Sequence, residues 1–190
     1  MCSFRASEWS RRALLSANPA AQSGDPGKAI QCFQSSLRQR PDYATALLNL
    51  GNVYRRQQDY GNAERCFEQA IRLEPDDPEL NYSFGMLYAQ QGRLEPASGY
   101  LRKAIALRPD YAEALNNLGV LLVRNKDFDQ AGEEFRTGIR VAPRYDQSYL
   151  NLARLYVMQN DRERARAVLN DLLRLQPGNE AARQALETLR

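Results

Sequence analysis

Five prolines, Pro41, Pro75, Pro109, Pro143 and Pro177, stand thirty-four residues apart along a chain of 190. An interval that holds through every step means that the chain is built by repetition, so the period is read before any single motif. Proline cannot continue a helix, because its ring clashes with the preceding turn and it has no N–H to donate. Each of the five therefore marks the end of a helical segment.

Laying the segments over one another at that offset aligns Leu47, Leu50, Gly51, Tyr54, Ala63, Phe67, Ala70 and Pro75 with Leu115, Leu118, Gly119, Leu122, Ala131, Phe135, Gly138 and Pro143. Phe84, Gly85, Tyr88, Ala97, Leu101, Ala104 and Pro109 carry another copy, and Tyr149, Leu152, Ala153, Tyr156, Ala165, Leu169 and Pro177 a further one. Apolar residues at three- and four-residue steps, in two runs per copy, predict two amphipathic helices with a break at Gln58, Asp59 and Tyr60. Small residues at Gly51, Gly119, Ala153, Ala63 and Ala131 let paired helices approach closely, and Phe67, Leu101, Phe135 and Leu169 fill the space beside them. Pro96 falls in the first turn of a second helix, where proline is tolerated.

The pattern resembles the tetratricopeptide repeat. That resemblance implies an all-α fold, a right-handed superhelical solenoid of antiparallel helix pairs, with about five thirty-four-residue repeats and a C-terminal capping helix. Counted from the family's first position, residues 1–9 are a tail, 10–43 a degenerate first repeat, and 44–77, 78–111, 112–145 and 146–179 the following four. Residues 180–190 form the cap, since Arg183 and Glu187 replace apolar or small residues while Ala182, Leu186 and Leu189 keep one apolar face. The first repeat is thin, with Ala13, Ser16 and Ala17 in its core slots and Pro19 interrupting it. Asn81 stands where Leu47, Leu115 and Tyr149 stand elsewhere; buried there, its amide needs partners or its helix must rotate.

Chemistry is sparse by comparison. The chain has 26 basic and 23 acidic residues, interspersed without a basic stripe, which reads against nucleic acid as a partner. Histidine is absent, removing the commonest general base and metal ligand, and no nucleophile with a base or carboxylate pair stands out. No catalytic residue, metal site or cofactor is expected. Gly27-Lys28 lacks the rest of a phosphate loop, and Asp76, Asp77 and Glu79 lack the glycine and spacing of a calcium loop. The sequon Asn81-Tyr82-Ser83 falls within a predicted helix. Cys2, Cys32 and Cys66 have no CxxC spacing and read as reduced thiols, which with the absence of a secretory pattern predicts a cytoplasmic chain. The apolar run from Leu118 to Val123 is far shorter than the roughly 18 to 20 residues of a membrane span.

What remains is surface. The resemblance implies that first helices line a concave groove, which places Asn49, Asn52, Arg55, Tyr82, Ser83, Glu113, Asn117, Arg124, Asn151 and Arg154 on a peptide-binding face. Asn49, Asn117 and Asn151 share one slot, with Ser83 between, and an amide there can pair with both the N–H and C=O of an extended peptide. This is similar to the asparagine ladder of O-GlcNAc transferase. The clamp that captures chaperone C-termini is not matched, because Glu113 would repel a terminal carboxylate where a cation is required. The sequence therefore predicts a non-catalytic, monomeric scaffold that binds another protein or an extended peptide. The alternative is a structural arm of a larger enzyme or assembly.

Overall fold

A computed structural model describes residues 26–189, and the expectations for residues 1–25 lie outside it. Ten α-helices and no strand occur among the described residues: α1 Pro26–Gln39, α2 Ala44–Arg56, α3 Tyr60–Leu73, α4 Pro78–Gln90, α5 Leu94–Leu107, α6 Ala112–Arg124, α7 Phe128–Val141, α8 Asp146–Met158, α9 Arg162–Leu175 and α10 Glu180–Thr188. The even-numbered helices, the first helices of each pair, begin at intervals of thirty-four residues, and so do the odd-numbered second helices. The chain forms two compact units, Met1–Arg93 and Leu94–Arg190.

Local chemistry sets the helix ends. Every one of the five periodic prolines lies two residues past a second helix. Asp59, Asp127 and Asp161 cap α3, α7 and α9, their carboxylates accepting from the N–H groups of Asn62, Gln130 and Arg164. Asp77 does the same for α4 and Asn179 for α10. The turns between helices of a pair pass through the left-handed region at Gln58, Gly92, Lys126 and Asn160, again thirty-four residues apart, and only one of these is glycine.

In the first unit α2 packs on α1, α3 and α4, and α3 packs on α4. Ala63, Phe67 and Ala70 are fully buried, and the Phe67 ring meets Phe84 at 5.7 Å while Phe84 stacks on Tyr88 at 4.9 Å. Gly51 is indispensable to this contact, since a Cβ there would lie 2.5 Å from Phe67 Cε1. Asn81 finds its partners: it is fully buried, and its Nδ2 donates to the carbonyls of Pro75 at 2.9 Å and Asp77 at 2.7 Å, while Oδ1 has no partner. Burial also closes the sequon to modification. Cys66 is a buried free thiol. Helix α1 is the exception among second helices, with no fully buried side chain.

In the second unit the helices pack in chain order from α5 to α10, and α6 also meets α8. A Cβ at Gly119 would lie 2.5 Å from Phe135 Cε1, whereas the next pair combines Ala153 with Leu169, both buried. The larger side chain thus goes with the smaller residue opposite it. Gly138 faces Ser148, whose buried Oγ has no partner. The last helix, α10, buries Ala182 and Leu189 and exposes Arg183 and Glu187. No helix among the described residues is long and apolar enough to cross a membrane.

Candidate peptide-binding faces

The residues singled out on the first helices form two polar sets, one in each unit. In the first unit Asn52 of α2 donates through Nδ2 to Ser83 Oγ of α4 at 3.4 Å, linking neighbouring first helices. Arg55, one turn further along α2, donates through Nε and Nη2 to Asn52 Oδ1 at 3.4 and 3.3 Å. The i, i+3 spacing puts the guanidinium and amide on one helix face. Burial pulls the Arg55 pKa below its ordinary value, while neighbouring Tyr82 acts in the opposite sense. Ser83 is buried, and Asn49, Asn52, Arg55 and Tyr82 are half-buried.

In the second unit Asn151 of α8 donates through Nδ2 to Asn116 Oδ1 of α6 at 2.8 Å. Arg154 then donates to Asn151 Oδ1 at 3.3 Å, so both ends of the Asn151 amide are engaged. Asn117 is half-buried on α6, and Glu113 and Arg124 stand exposed near its two ends. At about 1.5 Å per residue, Glu113 and Arg124 are roughly 16 Å apart along the axis, so neither neutralises the other.

The expected slot of Asn49, Ser83, Asn117 and Asn151 is thus not a row of identical rungs. Ser83 accepts from Asn52, and Asn151 leans on Asn116, one residue away from the slot that the period picks out. The repeat arithmetic places Asn116 on this face but misses its bond to Asn151, because side-chain pairing across helices is not encoded in the spacing along one helix. Val157 escapes it as well: with Met158, which the period does place on this face, it ends α8, and the two are 44% and 60% exposed where α2 carries Arg55 and Arg56.

Sequence models described as tetratricopeptide repeat match residues 50–116, residues 14–78, and, for a third model, residues 88–147 and 122–189, which together span more than half of the chain. Among solved structures, the fold is similar to that of YrrB, described as a TPR protein with an unusual peptide-binding site, at 25% identity and a TM-score of 0.69, covering 90% of this chain and 88% of that one. It is similar to MamA at 22% identity and a TM-score of 0.71, covering 90% of this chain and 94% of that one. It is also similar to a tetratricopeptide repeat protein from Parabacteroides merdae ATCC 43184 at 19% identity and a TM-score of 0.75, covering 96% of this chain and 72% of that one. No curated protein matches at a significant level.

Proposed function

Because the chain belongs to the tetratricopeptide repeat family, we propose that it is a non-catalytic scaffold holding an extended peptide or partner segment against its first helices. The observation that carries this reading is the pair of amide–guanidinium sets, Asn52 with Arg55 and Asn151 with Arg154, each on a first-helix face and each linked to the neighbouring first helix. Packing does not require these residues: helix pairs are held by the buried Ala63, Phe67, Ala131 and Phe135, and a polar face needs no oriented amides to stay solvated. Amides held by neighbours are preorganised for a backbone, which lowers the ordering cost of binding. The peptide-binding site named for YrrB, at 25% identity, supports the same direction.

The test is calorimetry with a peptide selected on the purified chain. Replacing Asn49, Asn117 and Asn151 together by Ala should weaken binding by about 2 to 4 kcal/mol, at about 1 per hydrogen-bonded site, with helicity unchanged. Full affinity in the triple variant, with unchanged circular dichroism, refutes the amide ladder.

A further inference from the structure

We infer that the face made by α6 and α8 takes an acidic segment that carries a large apolar side chain, an inference that rests on the scaffold reading above and specifies its ligand. The first observation is the exposed pair Val157 and Met158 at the end of α8. The fold does not demand an apolar residue at the Met158 slot, which holds Arg56 in α2, Gln90 in α4 and Arg124 in α6, and the Val157 slot accepts Arg55 in α2. The Asn151–Asn116 bond fixes the register between α6 and α8, and carrying the same offset two turns along brings half-buried Val123 level with Met158. The C-terminal ends of these two helices therefore share an apolar strip. Methionine suits it to side chains of varied shape, since its thioether is flexible and polarizable.

The second observation is charge. Arg124 and Arg154 are exposed on the same two helices, and neither forms an ion pair among the described residues. Three arginines of the second helices, by contrast, already hold an acid: Arg136 pairs with Glu133, Arg164 with Asp161 and Arg174 with Asp171. The acids closest in sequence to the ends of α6 and α8, Asp127 and Asp161, are occupied in capping the following helices. Glu113 lies at the far end of α6, beyond a Debye length of about 8 Å at physiological salt. A ligand carboxylate would therefore meet guanidinium donors without displacing a partner acid, and a basic segment would bring like charges together. An apolar strip flanked by guanidinium groups without an acidic partner fits a segment such as Asp or Glu alternating with Leu, Ile, Met or Phe.

Selection of random dodecapeptides on the immobilised full chain, followed by fluorescence anisotropy with the enriched peptides, tests this. The expected peptides carry net negative charge and at least one large apolar residue, and the Val157→Ser/Met158→Ser variant, folded by circular dichroism, binds them about tenfold or more weakly. Enriched peptides that are neutral or basic, or that bind the double variant unchanged while losing affinity for the Asn49/Asn117/Asn151→Ala variant, would overturn the inference and leave the scaffold reading standing. Enrichment only of peptides indifferent to both variants would overturn both.

Discussion

The α2–α4 face and the α6–α8 face are cut from one thirty-four-residue pattern, yet they are stitched differently. In the first, Asn52 of α2 donates forward to Ser83 of α4; in the second, Asn151 of α8 donates back to Asn116 of α6. Where α2 ends in Arg55 and Arg56, α8 ends in exposed Val157 and Met158. Beneath the two faces the cores agree much more closely, with Gly51 against Phe67 in one unit and Gly119 against Phe135 in the other. Close packing holds a core slot to one volume, whereas an exposed slot changes residue at little cost in stability. The differences between the faces are thus where partner choice can reside.

The shared glycine–phenylalanine contact offers the largest effect with which to probe this comparison. Alanine gains about 1 kcal/mol in helix propensity over glycine, but its Cβ would sit 2.5 Å from the ring in either unit, so the clash should win. Gly119→Ala should destabilise by about 1 to 3 kcal/mol, with Gly51→Ala at the upper end of that range, as measured by urea melts. Adding Phe135→Leu should recover most of the Gly119→Ala loss, because it recreates the Ala153 and Leu169 combination already present in the same unit. Adding Phe67→Leu should rescue Gly51→Ala less well, since Phe67 also packs on Phe84. Equal rescue would mean that the aromatic cluster adds nothing in the first unit.

Among the described residues each unit also contains one buried side-chain polar atom without a partner, Asn81 Oδ1 in the first and Ser148 Oγ in the second. They should respond oppositely to alanine. Ser148 makes no bond that would be lost, and Ala46 and Ala114 fill its slot elsewhere, so Ser148→Ala should raise stability by about 1 kcal/mol. Asn81→Ala removes two donated bonds and leaves a void, and should cost about 1 to 2 kcal/mol. The same melts check both, and a stabilising Asn81→Ala would mean that its amide bonds do not hold the turn before α4.

A smaller contrast lies in one slot of the second helices, filled by Cys66 in α3 and Glu134 in α7. Burial, with a lesser push from Asp59, raises the Cys66 pKa from 9.0 to about 11. Because the folded value is the higher one, the contribution of the neutral thiol is complete below pH 9.0 and is lost as pH rises through about 11. Burial likewise raises Glu134 above 4.5, against the pull of Arg102, so its contribution is complete below pH 4.5 and falls away as pH climbs through the folded value. Urea midpoints followed across pH should show a smaller alkaline decline in Cys66→Ala, with the share due to Tyr149 remaining, and a smaller decline just above pH 4.5 in Glu134→Gln.

The sequence made much of this architecture readable in advance. Helix ends followed from Pro41 to Pro177 and from the break at Asp59, because backbone chemistry acts locally. The small sites Gly51 and Gly119 and the rings opposite them were legible because the period places facing residues at a fixed separation. Asn81 announced itself as a polar residue in an apolar slot, and the structure supplies its two carbonyl partners. The pairings on the faces were not legible. Whether Asn151 meets Asn116 or Asn117 depends on the stagger and rotation of two helices distant in sequence, which hydrophobic periodicity leaves unspecified. The same limit hid Ser148, whose lack of a partner reflects what α7 presents through Gly138.

The central claim is that partners bind against the first helices. Backbone amide chemical-shift mapping of the isotope-labelled chain, titrated with a peptide selected on it, tests that directly. The account predicts the largest shifts at Asn49, Asn52, Ser83, Asn117, Asn151 and Arg154, with the exposed second-helix residues Glu68, Arg72, Arg140 and Arg174 unmoved. Shifts concentrated on α3, α7 and α9, with the first helices silent, would contradict it.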